Sequence, residues 1–425
     1  MTVTWTCRCG QVNTASVPCS ACLNPPPEGT ILGATPRRAA YRVPLALAVI
    51  VALLLTVGIG GAVVVRTDDS SRGATPRPGA SSEQPPPADL TALVADLSRF
   101  VEGARGLSFK EPVEVVLLAN DDFKARLLEN AELDATEIDT TARVLAALGL
   151  IEPDINLKDA IEDLLGAAVV GFYDPETREL VVRGADPTPG VRITLVHELT
   201  HALQDQHFEL HRPALDDADD ESGQAFSGLV EGDASRIEDL YRDSLSNAEI
   251  KAAEREQVEQ SAAAFLGIDI PRVLVQIIVF PYLVGPDFVD ALLGAEPGRL
   301  DVAFAEPPTT SEHLIHPERF LAGEGSVTVT PPAADGEVID EGVLGELGLR
   351  LMFGGGPGAD VAANGWGGDW YVAWDDGDVT CVRADLVMDS PTDAAELRDA
   401  LDAWAADHPD ATVSGQETVR FTACA

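Results

Sequence analysis

Basic residues are scarce in this 425-residue chain. It has 29 lysines and arginines against 70 aspartates and glutamates, which gives a formal net charge of -41. A chain with so few cations lacks the electrostatic footprint that phosphate binding needs, so nucleic acid is excluded as a general partner. Aromatic residues are also few, at 5%, but 45% of the residues are apolar, which excludes disorder of the whole chain.

The acidic charge begins where a long apolar run ends. Residues 1–66 carry five arginines and one glutamate, a net +4, whereas residues 67–425 carry a net −45. Between these parts, residues 44–65 contain no charge and would form a helix of roughly 33 Å, enough to cross a bilayer. Three arginines precede the run, so the positive-inside rule places the N-terminus in the cytoplasm. We therefore predict a single-pass cell-membrane protein whose C-terminal domain lies outside the cytoplasm.

Two short segments flank the predicted transmembrane helix. Residues 66–88 are rich in serine, proline and glycine and have no apolar periodicity, which predicts a disordered stalk. Residues 1–30 contain the pairs C-R-C and C-S-A-C, and four thiolates in two close pairs suit tetrahedral zinc. The segment resembles a small zinc ribbon, with CxC in place of the usual CxxC in its first knuckle. Its predicted structural zinc ligands are Cys7, Cys9, Cys19 and Cys22, and a cytoplasmic protein is its expected partner.

The remaining two cysteines lie on the predicted outer side of the membrane. Cys381 and Cys424 each sit in a strand-like stretch. Outside the cytoplasm a lone pair of cysteines usually forms a disulfide. We therefore predict a structural disulfide between them.

The strongest chemical signal is the sequence VHELTHALQD at residues 196–205, which contains the pattern HExxH. Apolar residues recur at helical spacing through this segment, so it predicts a helix. His197 and His201 then share one face of the helix and can both ligate a zinc ion. Glu198 lies one step around the helix, where it can accept a proton from a zinc-bound water. The pattern predicts a catalytic zinc with Glu198 as the general base.

A catalytic zinc needs a third protein ligand. His207 lies at the position of the third histidine in the extended HExxHxxGxxH pattern, but it is too far around the helix. A second helical pattern follows at residues 223–245, and Glu231 is the one acid in its apolar first half. An acid in such a place is costly unless it is paired or bound to metal. We predict Glu231 as the third ligand, with Glu238 and Asp233 as alternatives.

The stretches VHELTHALQDQHF and LVEGDAS together resemble gluzincin-type zinc metallopeptidases. They are especially similar to uncharacterised bacterial metallopeptidases that carry HELTHALQDQ and VEGDA. The resemblance covers roughly residues 90–375. It implies a zincin fold, zinc bound by the two HExxH histidines and Glu231, and Glu198 as the base.

The resemblance leaves some roles open. Some gluzincins have an acid four residues after the third ligand that orients the zinc site, and this chain has Ser235 there, so Asp233 or Asp205 would take that role. The oxyanion of a tetrahedral intermediate also needs a donor, for which the candidates are His313, His316 and Tyr282.

A turn signal separates two strand patterns upstream of HExxH, at residues 168–173 and 179–183, and together they predict a β-hairpin. In zincins an edge strand beside the active-site helix binds the substrate backbone by strand addition.

The acidic run at residues 216–221 predicts a solvated linker between the two site helices, with calcium binding as the alternative.

These patterns together predict an α+β fold: a zincin-like metallopeptidase ectodomain with one N-terminal transmembrane helix and a small zinc ribbon. The expected boundaries are a cytoplasmic zinc ribbon at 1–30, a transmembrane helix at 44–65, a stalk at 66–88, a peptidase domain at 89–330 and a C-terminal α/β unit at 331–425. The C-terminal unit either packs as part of the peptidase or stands alone.

The expected function is a membrane-anchored zinc metallopeptidase of the endopeptidase type, which hydrolyses peptide or protein substrates outside the cytoplasm. A non-catalytic envelope sensor or scaffold with a zinc-binding ectodomain is the alternative. A zinc hydrolase of a non-peptide substrate is a third reading. The intact Glu198 favours catalysis, because a non-catalytic site has no need of a base.

Overall fold

The computed structural model describes most of the chain from residue 88 onwards and two short segments before it. The described residues are 4–6, 12–14, 88–131, 133–184, 186–212, 215, 220–264 and 270–425. The four N-terminal cysteines, the predicted transmembrane helix and the predicted stalk up to residue 87 lie outside them. The structure is 57% helical and 16% strand, which is the mixed α+β content predicted from the sequence.

The strands form three sheets. In chain order the strands are β1 (Thr4–Thr6), β2 (Val12–Thr14), β3 (Val115–Leu118), β4 (Gly171–Asp174), β5 (Glu179–Arg183), β6 (Val338–Gly342), β7 (Trp366–Asp376), β8 (Val379–Met388), β9 (Thr412–Ser414) and β10 (Thr418–Cys424). The sheet orders are β1-β2, β3-β5-β4 and β6-β7-β8-β10-β9. Only β3 and β5 run parallel, and the other described pairs are antiparallel.

Half of the described helices lie in the part of the chain between β5 and β6. In chain order the described helices are α1 (Ala88–Arg105), α2 (Asn120–Asn130), α3 (Ala135–Ala147), α4 (Leu157–Ala168), α5 (Pro189–Phe208), α6 (Asp220–Ser244), α7 (Asn247–Ala264), α8 (Arg272–Ala295), α9 (Arg299–Ala305), α10 (Ser311–Ile315), α11 (Pro317–Ala322), α12 (Gly345–Met352), α13 (Pro357–Ala363) and α14 (Pro391–Ala405).

Helix α5 is the central element of the helical part. Thr188 caps its N-terminus by accepting a hydrogen bond from the backbone N–H of Val191, and Pro189 occupies the first turn, where its missing N–H costs nothing. The helix ends at Glu209, which takes a left-handed conformation with φ of 56°. It packs against α1, α6, α7 and strands β4 and β5, so the HExxH segment is buried on all sides.

Helices α6 and α8 cross at unusually close range. A Cβ added to Gly232 would lie 2.3 Å from the backbone of Gly285, and one added to Gly285 would lie 2.3 Å from the carbonyl oxygen of Gly228. Only glycine permits this approach of two backbones, because any side chain would collide with the facing helix. The crossing brings the middle of α8 against the part of α6 that contains Glu231.

Among the described residues, α8 is the one helix long and apolar enough to cross a membrane by length and composition. It lies in the middle of the chain, and 44% of its most apolar window is buried inside the structure. The core helix of a soluble protein meets the same criterion. The predicted span at residues 44–65 lies outside the described residues.

The C-terminal sheet shares its core with the helical part. Val144 and Leu148, from α3 and its C-terminal cap, pack with Trp366, Leu386 and Phe421 of the sheet in one buried cluster. Side chains of α3 and of the C-terminal sheet are therefore buried against one another.

Most of the elements expected from the pattern are present, including the hairpin β4–β5, the helices around HExxH and Glu231, and the strands after residue 366. The prediction of a solvated linker at residues 216–221 is corrected at its last residue. Glu221 lies inside α6 and is buried, and its carboxylate accepts a hydrogen bond from the backbone N–H of Ser311 at 2.6 Å. This residue is part of the packed core, because a tertiary hydrogen bond offsets the cost of burying it.

Candidate metal centre

Three side chains from two helices converge on one point. His197 and His201 of α5 and Glu231 of α6 place their ligand atoms within 4.8 Å of one another, and all three side chains have no solvent exposure. Among the described residues this is the one group of three such side chains that could hold a metal ion. The structure therefore brings together the three ligands predicted from the sequence.

The distances within this group suit a small four-coordinate cation. The carboxylate oxygen Oε2 of Glu231 lies 3.1 Å from Nε2 of His197 and 3.5 Å from Nε2 of His201. Ligand bonds of about 2.0 Å in tetrahedral geometry separate neighbouring ligand atoms by about 3.3 Å. The two observed distances lie close to that value, on either side of it.

The electrostatics of the centre also favour a cation. Burial opposes a charge on His197, but hydrogen bonds to Glu231 and Glu238 outweigh it and raise the pKa of His197 to about 10. Three fully buried carboxyl groups, of Glu198, Glu231 and Glu238, face the two histidines. Buried carboxylates are stable only when paired, so a bound cation would offset the cost of their burial.

Glu238 fixes the orientation of His197. Its Oε2 atom lies 3.1 Å from Nδ1 of His197, and its Oε1 atom accepts a hydrogen bond from Arg242 at 2.6 Å. The carboxylate thus accepts the proton of Nδ1, so Nε2 is the ring atom of His197 that faces Glu231 and would bind a cation once its own proton has left. From the sequence, Glu238 was an alternative third ligand. In the structure it contacts Nδ1 of His197, the nitrogen that faces away from Glu231. Its spacing of seven residues from Glu231, two turns along one helix face, is the signal that could have indicated this role.

Gln204 fixes the orientation of His201, a role that the sequence did not indicate. Its amide nitrogen donates to the carbonyl oxygen of Val230 at 3.1 Å and to Oδ2 of Asp233 at 3.0 Å. Both partners are acceptors, so the amide oxygen must be the atom that lies 3.0 Å from Nδ1 of His201. Nδ1 of His201 therefore carries the proton, and Nε2 is free to bind a cation.

The structure gives different surroundings to the two aspartates, Asp233 and Asp205, that the sequence named as candidates for orienting the site. Asp233, the other alternative third ligand, contacts Gln204 and reaches His201 only through it. Asp205 accepts hydrogen bonds from the hydroxyl of Tyr173 and from the backbone N–H of Leu210, and it therefore belongs to the packing around β4.

Glu198 lies beside the ligands with both carboxylate oxygens buried and without hydrogen-bond partners among the described residues. Burial raises the pKa of Glu198 to about 7, against the opposing effect of the two histidines. Buried polar atoms without partners are rare, and a catalytic role or a bound ion or water is among their explanations. A carboxyl group with such a pKa can both accept and release a proton near neutral pH.

Two neighbouring elements complete the surroundings. The ring of Tyr282, on α8, stacks on that of His197 with 6.3 Å between centroids, and its buried hydroxyl has no hydrogen-bond partner among the described residues. Gly171 begins the edge strand β4, and a Cβ there would lie 3.2 Å from Oε1 of Glu198. The predicted hairpin thus lies directly beside the predicted base.

Three other histidines named from the sequence lie elsewhere. His207 contacts the carbonyl oxygen of Ser108, His313 contacts that of Glu324, and His316 contacts the carboxylate of Glu346. None of the three belongs to the group that could hold a metal, which leaves Tyr282 as the one oxyanion-donor candidate next to the centre.

The predicted disulfide is present in the C-terminal sheet. Cys381 and Cys424 form a disulfide with Cα atoms 4.0 Å apart, linking strands β8 and β10, in which the two residues face each other. The predicted ribbon ligands, Cys7, Cys9, Cys19 and Cys22, lie outside the described residues.

The C-terminal part of the chain matches the family model of a Domain of unknown function (DUF8575) over residues 334–424. The match covers the five-stranded sheet and excludes α5 and α6, which carry the candidate metal centre. Comparison with curated proteins found no match, and comparison with solved structures found none either. Similarity to known families is therefore found for the C-terminal unit, whereas the interpretation of the metal centre depends on its own geometry.

Proposed function

We propose that this chain is a membrane-anchored zinc metallopeptidase that acts outside the cytoplasm. The observation that supports this most is the convergence of His197, His201 and Glu231 beside the buried, unpartnered carboxylate of Glu198. Two histidines and one carboxylate with an adjacent base are the residue set of gluzincin-type peptidases, which the motifs HELTHALQDQ and VEGDA resemble.

His197, His201 and Glu231 would hold the zinc ion. When bound, zinc would supply Lewis acidity, which polarises a carbonyl group and lowers the pKa of water toward about 7. Glu198 accepts the proton of the attacking water and passes it to the leaving amine, for which its raised pKa of about 7 is suited. The hydroxyl of Tyr282 is available to donate a hydrogen bond to the carbonyl oxygen as negative charge develops there.

The edge strand β4 offers a way to hold a peptide. It pairs with β5 on one side, and Gly171 brings its start against Glu198. An extended peptide that adds to the free edge would lie along the catalytic helix, with its backbone near the base. All three ligands and Glu198 are fully buried, so we expect substrate entry to require movement of an element that covers the centre.

The disulfide supports the proposed location. Cys381 and Cys424 are bonded in the structure, and such bonds persist mainly in oxidising compartments. This agrees with a C-terminal domain outside the cytoplasm, as expected from the arginines before residues 44–65.

The test uses the full chain and four variants of it. Zinc content would be measured by elemental analysis, and cleavage would be followed on a diverse peptide library. We expect one zinc at the centre and cleavage in the wild type, the same zinc but no cleavage in Glu198→Gln, and loss of that zinc in Glu231→Ala. Glu312→Gln, which changes a buried carboxyl outside the centre, serves as the matched control and should retain both properties.

The zinc count must separate the centre from the predicted ribbon. The double variant His197→Ala and His201→Ala provides the baseline, because any zinc it retains belongs elsewhere in the chain. Zinc at the centre with no cleavage of any peptide would support the non-catalytic scaffold instead. A wild type with no more zinc than this double variant would refute the proposal.

A further inference from the structure

We propose that Arg105, in helix α1, is a positioning residue for the metal centre, acting on His201 through Asp233 and Gln204. The inference rests on the proposed function, because it assigns a role toward the zinc ion. Arg105 lies 96 positions before His201 in the sequence, and no motif connects them. The connection is a continuous series of buried hydrogen bonds that only the folded chain contains.

The series begins at the arginine. Nε of Arg105 donates to Oδ2 of Asp233 at 2.8 Å, and a second nitrogen donates to Oδ1 of Asp301 at 2.6 Å. The side chain of Arg105 is 7% exposed, and that of Asp233 is 1% exposed. Burial opposes the charge of Arg105, but the two aspartates outweigh it and raise the pKa of the guanidinium. The arginine is therefore a permanent donor at this place, and Oδ2 of Asp233 is held as an acceptor.

The acceptor then determines which way the Gln204 amide faces. Oδ2 of Asp233 receives one N–H of the amide, and the carbonyl oxygen of Val230 receives the other. The reversed amide would point its oxygen at two acceptors. The amide oxygen is thus directed to Nδ1 of His201, which fixes the proton on that nitrogen and leaves Nε2 as a ligand atom.

A shorter series of hydrogen bonds orients the other histidine, His197. Arg242 donates to Glu238, which accepts from Nδ1 of His197. Each zinc-facing histidine is therefore backed by an arginine, one from the same helix as Glu231 and one from α1. Two rings fixed in this way present both Nε2 atoms to Glu231 without further rearrangement, which lowers the cost of binding a cation.

Removal of Arg105 should loosen this arrangement. Without its donor, the carboxylate of Asp233 is no longer held beneath the Gln204 amide, and the His201 ring loses its fixed orientation. Loss of outer hydrogen-bond partners of metal ligands typically costs 10- to 100-fold in metal affinity. Because two residues separate Arg105 from the ligand, we expect the lower end of that range, about tenfold.

The experiment measures zinc affinity at the centre of the full chain by competition with a chromophoric chelator. The variants are Arg105→Met, which keeps the apolar stem, and Arg105→Lys, which keeps the charge but not the two-nitrogen fork. Arg183→Met is the matched control: like Arg105, which lies over the ring of Phe208, Arg183 lies over an aromatic ring, and it donates to a part-buried carbonyl oxygen but touches no residue of the centre. Arg105→Met should weaken zinc binding about tenfold, Arg105→Lys should recover part of the loss, and Arg183→Met should leave affinity unchanged.

Two further readouts distinguish positioning from simple stabilisation. The visible spectrum of cobalt bound at the centre should change in Arg105→Met, since it reports the ligand arrangement. In addition, Arg105→Met combined with Gln204→Met should weaken zinc binding by less than the product of the two single effects, because both changes interrupt one series.

Three outcomes would overturn the inference. One is lower thermal stability of Arg105→Met with unchanged zinc affinity and cobalt spectrum, and another is an equal loss of affinity in Arg183→Met. The third is independent, multiplicative effects of the Arg105 and Gln204 changes. A wild type that binds no zinc at the centre would refute the proposed function itself, so the two failures are distinguishable.

Discussion

Replacing Gly232 with alanine should push α6 and α8 apart and weaken metal binding. The added methyl would lie 2.3 Å from the carbonyl carbon and oxygen of Gly285. Carbon atoms that are not bonded pack at about 3.5–4.0 Å, so the backbones must separate by roughly 1 Å. Neither contact atom belongs to a flexible side chain, so the strain cannot be relieved by a change of rotamer.

The consequence for the centre follows from the position of Glu231, the residue before Gly232. Its carboxylate now lies 3.1 and 3.5 Å from the two histidine nitrogens, both within about 0.2 Å of the tetrahedral value of about 3.3 Å. Functional constellations tolerate displacements of only about 0.5 Å. A movement of roughly 1 Å should therefore weaken zinc binding at least tenfold, and overpacking should destabilise the fold by about 1–3 kcal/mol.

The measurements are zinc affinity by chelator competition and the free energy of unfolding by denaturant titration, with and without zinc. Gly294→Ala is the control, since Gly294 lies in α8, the helix that crosses α6 at Gly232, and a Cβ there meets nothing within 4 Å. That variant should keep wild-type zinc affinity and become slightly more stable, because alanine favours helix over glycine by up to about 1 kcal/mol. Wild-type zinc affinity in Gly232→Ala would show that the close crossing does not position Glu231, and would refute this reasoning.

Three further predictions concern other parts of the molecule. In Gly171→Ala the methyl meets the side chains of Thr194 and of the base Glu198 itself, so kcat should fall at least about tenfold while zinc content stays at the wild-type level. Replacing both Cys381 and Cys424 with serine removes a disulfide that closes 43 residues, and should lower the free energy of unfolding by about 2–4 kcal/mol in denaturant titrations. Burial raises the pKa of Glu312 to about 7, so the folded state binds its proton more tightly than the unfolded state does. Its contribution to stability is present below the unfolded pKa of about 4.5 and is lost as the pH rises through about 7. The free energy of unfolding of the wild type should therefore fall between pH 5 and 8, and in Glu312→Gln this fall should be smaller by about 1–2 kcal/mol.

Each of these predictions has an outcome that contradicts it. A Gly171→Ala variant with the wild-type kcat would mean that the start of β4 does not constrain the base. Equal unfolding free energies of the wild type and the double serine variant, both measured under oxidising conditions, would remove the stabilising role of the disulfide. Parallel stability curves for the wild type and Glu312→Gln from pH 5 to 8 would show that this carboxyl does not titrate in that range.

The C-terminal unit illustrates how far local pattern predicts the fold. Its long strands and helix α14 follow from alternating and helical patterns in the sequence. The short helix α13 of this unit was not predicted, nor were α9 and α10 before it, because five to seven residues give too little periodicity and such helices depend on tertiary packing. The largely apolar sequence of α8 predicts a helix, but it does not indicate which neighbour the helix packs against.

The sequence by itself determined the chemistry of the candidate centre. Spacing of four residues places His197 and His201 on one helix face wherever that helix lies, and an acid within an apolar helical stretch singled out Glu231. The tertiary structure decided everything that depends on distant contacts. It placed Glu238 behind one histidine and Gln204 behind the other, connected Arg105 to the centre, and set Tyr282 and Gly171 beside it. These relations arise from the packing of α1, α6, α8 and β4 around α5, and no local pattern records which faces of separate elements meet.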